Sequence, residues 1–215
     1  MEKILDYCIN QFGGQNCDKV LDFIKSNLGG KQTGKILVLQ GKQATGKTTF
    51  IRFLEYILGE KAILSINAGR YSTKKGKYFF SNDFIKQAHE TINFDDLKFI
   101  VLDSYHTNID FLSIKEIATF GFVIEKSKKE KIRYSFLGNL IICSQIEFPY
   151  KNDDRFIIIN LENPVYTDNL DVVNFSNFDD EKEHFKNWLS VKSENQLGYN
   201  PENNSYSFTD KVVSL

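Results

Sequence analysis

Residues 41–48 read GKQATGKT, the spacing G-x-x-x-x-G-K-[ST], and no other stretch of the 215-residue sequence restricts the fold as tightly. At average residue frequencies such a string arises by accident in about one chain in a hundred of this length. Its flanks are what the string needs. KILVLQ (35–40) is a compact apolar run ahead of it, and behind it TTFIRFLEYILG places Phe50, Ile51, Phe53, Leu54, Ile57 and Leu58 at helical spacing before Gly59. Strand, glycine loop, helix is the setting in which backbone N–H groups converge on a phosphate. Gly41 and Gly46 admit backbone conformations that a Cβ forbids, so successive N–H groups turn inward and form, with the helix N-terminus, a concave anion site. The residues expected to line a nucleotide are Gly41, Lys42, Gln43, Ala44, Thr45, Gly46, Lys47, Thr48 and Thr49. Lys47 is placed to neutralise the β- and γ-phosphates and Thr48 to offer its hydroxyl to Mg²⁺, with Thr49 the weaker neighbour. The cofactors implied are ATP and Mg²⁺; the plain alternative is a glycine turn that matches by accident.

Composition agrees with a folded chain: 41% hydrophobic and 26% charged residues, with 19 Phe and 10 Tyr against three Pro. The length suits one large domain, alone or with a small appendage, well above the ~70-residue range in which cores are marginal. Cys8, Cys17 and Cys143 form no C-x-x-C pair and read as reduced packing thiols. MEKILDYCINQF at the start lacks a long apolar core behind a basic flank, and nowhere do ~18 apolar residues run together, so no membrane partner is expected. A formal net charge of −1 gives no global reason to expect nucleic acid, although a local patch can still serve. His89, His106 and His184 have no companion ligands, which leaves nucleotide-bound Mg²⁺ as the metal inferred.

Three parts follow along the chain. Residues 1–30 form an N-terminal helical segment, with apolar Ile4, Leu5, Cys8 and Ile9 on one helix and Val20, Leu21, Phe23, Ile24 and Leu28 on a second, split by GGQN and closed by Gly29-Gly30. Residues 31–165 form an α/β core. Residues 166–215 hold a C-terminal helix around Phe185, Trp188 and Leu189 and then a polar surface tail, GYNPENNSYSFTD.

The core reads as four strands, each a continuous apolar run as in a parallel sheet buried on both faces. The second, FIVLDS (99–104), ends in Asp103, the carboxylate expected on the metal side. Ser104 stands where ATPases of this type usually carry a second acid, which predicts slow hydrolysis or a base from elsewhere; Glu90 and Glu116 are the weak substitutes. The third, NLIICSQ (139–145), ends in Gln145, a candidate sensor of the γ-phosphate or of the attacking water. The fourth lies within NDDRFIIINLE (152–162) and is introduced by Arg155, which can stabilise transferring phosphate in its own subunit or in a neighbour's. Lys47, Asp103, Gln145 and Arg155 are thus the candidate catalytic set, and Thr48 and Asp103 the candidate metal pair.

The order of these parts, with Pro149 opening P-x-x-x-D-D-R-F, resembles superfamily 3 helicases over roughly residues 35–161. These are the AAA+-like P-loop ATPases of replication initiators of small DNA viruses, plasmids and phages. The resemblance implies a parallel sheet flanked by helices, assembled as a homo-oligomeric ring such as a hexamer and acting on single-stranded DNA, with a separate replication initiator as a further partner. The family's strand-terminal asparagine is Gln145 here, and its paired acids are reduced to Asp103. It also implies a role for VIEKSKKEKIRYSF, which reads as a hairpin with a cationic tip carrying Lys126, Lys128, Lys129, Lys131 and Arg133 beside Tyr134. In these helicases a hairpin at this place grips DNA in the ring channel through phosphates, and Tyr134 is available for stacking. A second basic run, Arg70, Lys74, Lys75 and Lys77, is a weaker candidate. The compartment would be cytoplasmic for a bacterial or phage source and nuclear or cytoplasmic for a eukaryotic virus. Two alternatives stay open: a nucleotide-dependent assembly module without fast hydrolysis, and a P-loop small-molecule kinase.

Overall fold

The computed structural model describes residues 1–28, 33–67, 96–105, 123–127, 130–133, 139–162, 174–190, 197–200 and 205–208. Helices α1 (Glu2–Phe12) and α2 (Gly14–Leu28) come first, followed by β1 (Ile36–Gln40) and α3 (Lys47–Leu58). Strands β2 (Ile63–Asn67), β3 (Phe99–Tyr105), β4 (Val123–Ser127), β5 (Glu130–Arg133), β6 (Asn139–Ser144) and β7 (Phe156–Asn160) follow. Helix α4 (Asp179–Ser190) and strands β8 (Leu197–Asn200) and β9 (Ser205–Phe208) come last.

Five strands form one all-parallel sheet in the order β2-β3-β6-β1-β7. This is an α/β architecture of the kind a strand–glycine loop–helix unit builds. The apolar runs are continuous because both faces are covered. Leu37, Leu39, Phe99, Val101, Ile141, Cys143 and Ile159 enter the main core on one face, while Val38, Ile100, Leu102, Leu140 and Ile142 are buried on the other. One strand escapes the sequence reading. β2 is a sheet-edge strand whose apolar run is broken by Ser65, so it gives a weaker signal than the other four, whose runs are unbroken.

The helices share one core with the sheet. Phe53 of α3 sits at the centre of an aromatic cluster, 4.8 Å from the Tyr7 ring, 6.0 Å from Phe178 and 6.3 Å from Phe185. α1 buries Ile4, Leu5, Cys8, Ile9 and Phe12, the i, i+1, i+4, i+5, i+8 stripe of a core-facing helix. It stops at Gly13 (φ 74°), whose N–H donates to the Ile9 carbonyl at 2.7 Å. α2 begins at the next residue, so the expected GGQN break contracts to a single glycine, the one residue that takes φ > 0 without strain. The start of α1 is fastened to the first turn of α4: the Ile4 N–H donates to Glu181 at 3.1 Å, and Lys3 pairs with Asp180 at 3.0 Å.

Two antiparallel hairpins stand beside the main sheet. β4 and β5 pair with Val123 opposite Arg133 and Glu125 opposite Lys131, which gives the expected hairpin its backbone; Lys128, Lys129 and Tyr134 lie outside the described residues. β8 and β9 pair from Leu197↔Phe208 to Asn200↔Ser205, with Tyr199 opposite Tyr206. The expected surface tail is thus a hairpin in part. Its signal in the sequence is the Tyr-bearing quartets LGYN and SYSF on either side of PENN, a composition that favours turns.

Candidate functional site

The site is built at the carboxyl ends of β1, β6 and β3, where ligands of open parallel sheets lie. The chain leaves β1 at Gln40 and turns through residues 41–46 into α3. Two residues of the turn have positive φ, Ala44 at 66° and Gly46 at 83°, and alternation of this kind points backbone N–H groups to one side. Each glycine has its own reason to lack a side chain. A Cβ on Gly41 would lie 2.5 Å from the Leu161 carbonyl oxygen, and one on Gly46 would lie 2.4 Å from the Gln11 side-chain oxygen.

Lys47 is buried although charged, with 7% of its surface exposed. Its ammonium donates to the carbonyls of Gly41 and Lys42, both at 2.6 Å, and to Thr45 Oγ1 at 3.1 Å. Those acceptors compensate a buried cation and hold it inside the curve of the loop. Burial pushes its pKa down, and the nearby Cys143 and Asp103 push it back up. Thr45 is in turn fixed by its hydroxyl, which donates to the Lys42 carbonyl at 3.0 Å. Thr48, at the start of α3, is exposed, as are Lys42 and Gln43, and Thr49 and Ala44 are half-buried.

β6 lies between the loop strand and the acidic strand. The Gly41 N–H donates to the Ser144 carbonyl at 3.0 Å, so the turn starts against the end of β6 and exposed Gln145 follows at once. Asp103 is half-buried near the end of β3, opposite Asn67 of β2. The β3–β6 ladder shifts there: Leu102 pairs with Ile142 but Tyr105 with Ser144, so Asp103 and Ser104 together face one residue, Cys143. A bulge of this kind re-aims the side chains it carries. Asp103 is close enough to act electrostatically on Lys47 and on Cys143, whose thiol is pushed up to about 12 by burial first and by Asp103 second.

The structure therefore brings together the glycine loop, Lys47, Thr48, Asp103 and Gln145. Arg155 stands apart. It precedes β7 at the amino-terminal edge of the sheet, where its carbonyl accepts from the Ile36 N–H at 2.8 Å and its guanidinium pairs with Asp153 at 2.9 and 3.1 Å. The length of β1 separates it from the loop, roughly 16 Å at about 3.3 Å per residue. That corrects the expectation of Arg155 in its own chain's site and leaves a neighbour's. On the backbone of β4 and β5, Lys131 and Arg133 hold register positions opposite Glu125 and Val123, and Lys126 falls where the ladder shifts between Glu125 and Ser127. Glu90, Glu116, His89, His106 and the run from Arg70 to Lys77 lie outside the described residues, and His184 is exposed on α4. Among the described residues no group of three or more His, Cys, Asp or Glu is placed to hold a metal ion, and no helix is long and apolar enough to cross a membrane.

Two residues of the site had no signal in the sequence. Gln40 ties the ends of β1 and β7 to the segment after β6: its carbonyl accepts from the Leu161 N–H at 2.7 Å, its side-chain oxygen accepts from Phe148 N–H at 2.5 Å, and its amide donates to Asn160 at 2.9 Å. Gln11, on α1, donates from Nε2 to the Thr45 carbonyl at 2.9 Å and lies against Gly46.

No family model matches the sequence, and no curated protein matches it. Solved structures of the NrS-1 C-terminal region do. The A-form apo structure superposes with a TM-score of 0.60 at 18% identity, covering 89% of this chain and 46% of that one. A second A-form apo structure, of residues 305–718, gives 0.59 at 17% over the same shares, and a further apo structure gives 0.56 at 18% over 88% and 46%. The chain spans about half the length of that region, and at such identities the likeness is one of fold.

Proposed function

We propose that this chain is an ATP- and Mg²⁺-binding domain of the superfamily 3 helicase type, acting on single-stranded DNA in the replication of a virus or mobile element. The observation that carries the reading is the convergence of the glycine loop, buried Lys47, exposed Thr48 and Asp103 at one edge of the parallel sheet. The inward N–H groups and the Lys47 ammonium bind the phosphates, and the ammonium exchanges its hold on the Gly41 and Lys42 carbonyls for phosphate oxygens. Thr48 and Asp103 would hold Mg²⁺, which draws charge from the β- and γ-phosphate oxygens when bound. Gln145 orients the attacking water. Arg155, remote from its own loop, serves the loop of an adjacent subunit in a ring, and the β4–β5 hairpin carries the cations for DNA phosphates.

Ser104 favours a second reading within the same site. With one acid at the end of β3, a chain that binds nucleotide can lack the base for fast turnover and act as a nucleotide-switched assembly module. ATP turnover with and without single-stranded DNA separates the two. Stimulation by DNA that is abolished in both Lys47→Ala and Asp103→Ala supports the motor; Lys47-dependent binding without turnover supports the switch. Transfer of radiolabelled phosphate to a small acceptor would instead reveal a kinase.

A further inference from the structure

The helix α1 reaches the glycine loop through one side chain, and the bond it makes bears on which way a phosphate-binding N–H points. Gln11 Nε2 donates to the Thr45 carbonyl at 2.9 Å. That carbonyl belongs to the same peptide unit as the Gly46 N–H. A trans peptide is planar and directs its C=O and N–H to opposite sides, and no peptide bond among the described residues is cis. Holding the carbonyl toward α1 therefore aims the Gly46 N–H away from α1. Gly46 has φ 83°, and around such a residue the preceding peptide can flip with little steric resistance. An external restraint is what fixes one orientation.

Gln11 is well placed to be that restraint. Phe12, its neighbour, packs edge-on against Phe50 in the first turn of α3 at 4.6 Å, and the other end of α1 is bonded to α4 through Glu181. The amide touches the Gly46 position so closely that a Cβ there would meet its oxygen, nitrogen and carbon at 2.4, 2.5 and 2.8 Å. Gly46 is thus glycine for its φ and for the seat of Gln11.

We infer that Gln11 is a positioning residue for the phosphate loop: its amide holds the Thr45–Gly46 peptide with the Gly46 N–H turned toward bound phosphate. This rests on the nucleotide reading of residues 41–48 proposed above. Gln11 touches no phosphate itself; it acts through the backbone.

The full chain tests it in three forms, wild type, Gln11→Met and Gln11→Glu. Met keeps the length and removes the donor, while Glu keeps the shape and turns an oxygen toward the carbonyl. Affinities are measured for a fluorescent ATP analogue with Mg²⁺ and for inorganic tripolyphosphate, with melting temperature and the amide resonance of Gly46 recorded alongside. The expected result is a loss of about 3- to 10-fold for both ligands in Gln11→Met, the scale of one hydrogen bond, and at least as much in Gln11→Glu. The Gly46 resonance should move while the melting temperature stays close to wild type. Unchanged affinity in both variants, beside a wild type that binds, overturns the role of Gln11 and leaves the nucleotide reading standing. Loss of affinity in step with loss of folded protein, or with an unmoved Gly46 resonance, overturns it as well, because α1 would then only support the fold. A wild type that binds neither ligand removes the nucleotide reading and this inference together.

Discussion

Gly41→Ala is expected to damage the fold before it damages any ligand site. A Cβ built on Gly41 lies 2.5 Å from the Leu161 carbonyl oxygen, 2.8 Å from Thr45 Oγ1 and 3.1 Å from Leu161 Cβ, where ordinary contact begins at 3.4 Å. Leu161 must retreat by 3.4 minus 2.5, or 0.9 Å. It has little freedom to do so, because its N–H is bonded to the Gln40 carbonyl at 2.7 Å and its side chain is 5% exposed in the core. Overpacking of this kind costs about 1–3 kcal/mol, and a weakened Leu161–Gln40 bond adds about 1 kcal/mol, for about 2–4 kcal/mol in all. At the usual unfolding entropy per residue this corresponds to a fall of about 4–9 °C in melting temperature. Gly13→Ala is the control, since nothing lies within 4 Å of a Cβ there and its φ of 74° alone opposes the change, at about 1–2 kcal/mol. Thermal and urea unfolding of both variants measure the difference. A Gly41→Ala protein at least as stable as Gly13→Ala would refute the close approach of the loop to the chain leaving β7.

Three other outcomes follow from the structure. Burial pushes the Cys143 thiol up to about 12, from an ordinary 9.0, and Cys8 is raised by its hydrogen bond to Cys17 and by burial. A raised folded-state value means stability that is complete below pH 9 and lost as pH climbs toward 12, so urea unfolding at pH 8 and pH 10 should show a fall of about 1 kcal/mol per unit that Cys143→Ala reduces; an identical slope in the variant contradicts this. Arg155→Ala should bind nucleotide normally and lose turnover, and mixing it with Lys47→Ala should recover part of that turnover in a ring; mixtures as inactive as either parent would exclude a role in a neighbour's site. Replacing Lys126, Lys128, Lys129, Lys131 and Arg133 by Gln should weaken single-stranded DNA binding and flatten its log–log salt dependence by about 0.7 for each phosphate no longer neutralised, whereas an unchanged slope would remove the hairpin from the DNA interface.

The parts of the fold that could be read from the sequence are those in which local pattern and burial agree. β1, β3 and β6 are interior strands and therefore run apolar without interruption, the edge strand β7 keeps an unbroken FIII run, and α3 shows its 3.6-residue stripe because one face alone is buried. The glycine loop was legible because the positive φ of Gly46 and the close approaches at Gly41 and Gly46 exclude a side chain, which leaves glycine as the trace of the turn. The strand order was not: nothing in NLIICS says that it inserts between β1 and β3, since parallel pairing is decided by crossovers that the local sequence does not encode. The same holds for the bulge at Asp103 and Ser104, and for Gln11, which meets Thr45 across 34 residues of sequence. Arg155 shows the converse, for its position in the motif order was clear but its end of the sheet was visible only once β1 and β7 were seen to run parallel.

Whether residues 41–49 hold a nucleotide is decided by titration calorimetry of the full chain with ATP and Mg²⁺, wild type beside Lys47→Ala. One site per chain, weakened by at least about 100-fold in the variant, is the predicted result. Equal affinity in the two proteins, or no heat of binding in either, would contradict it.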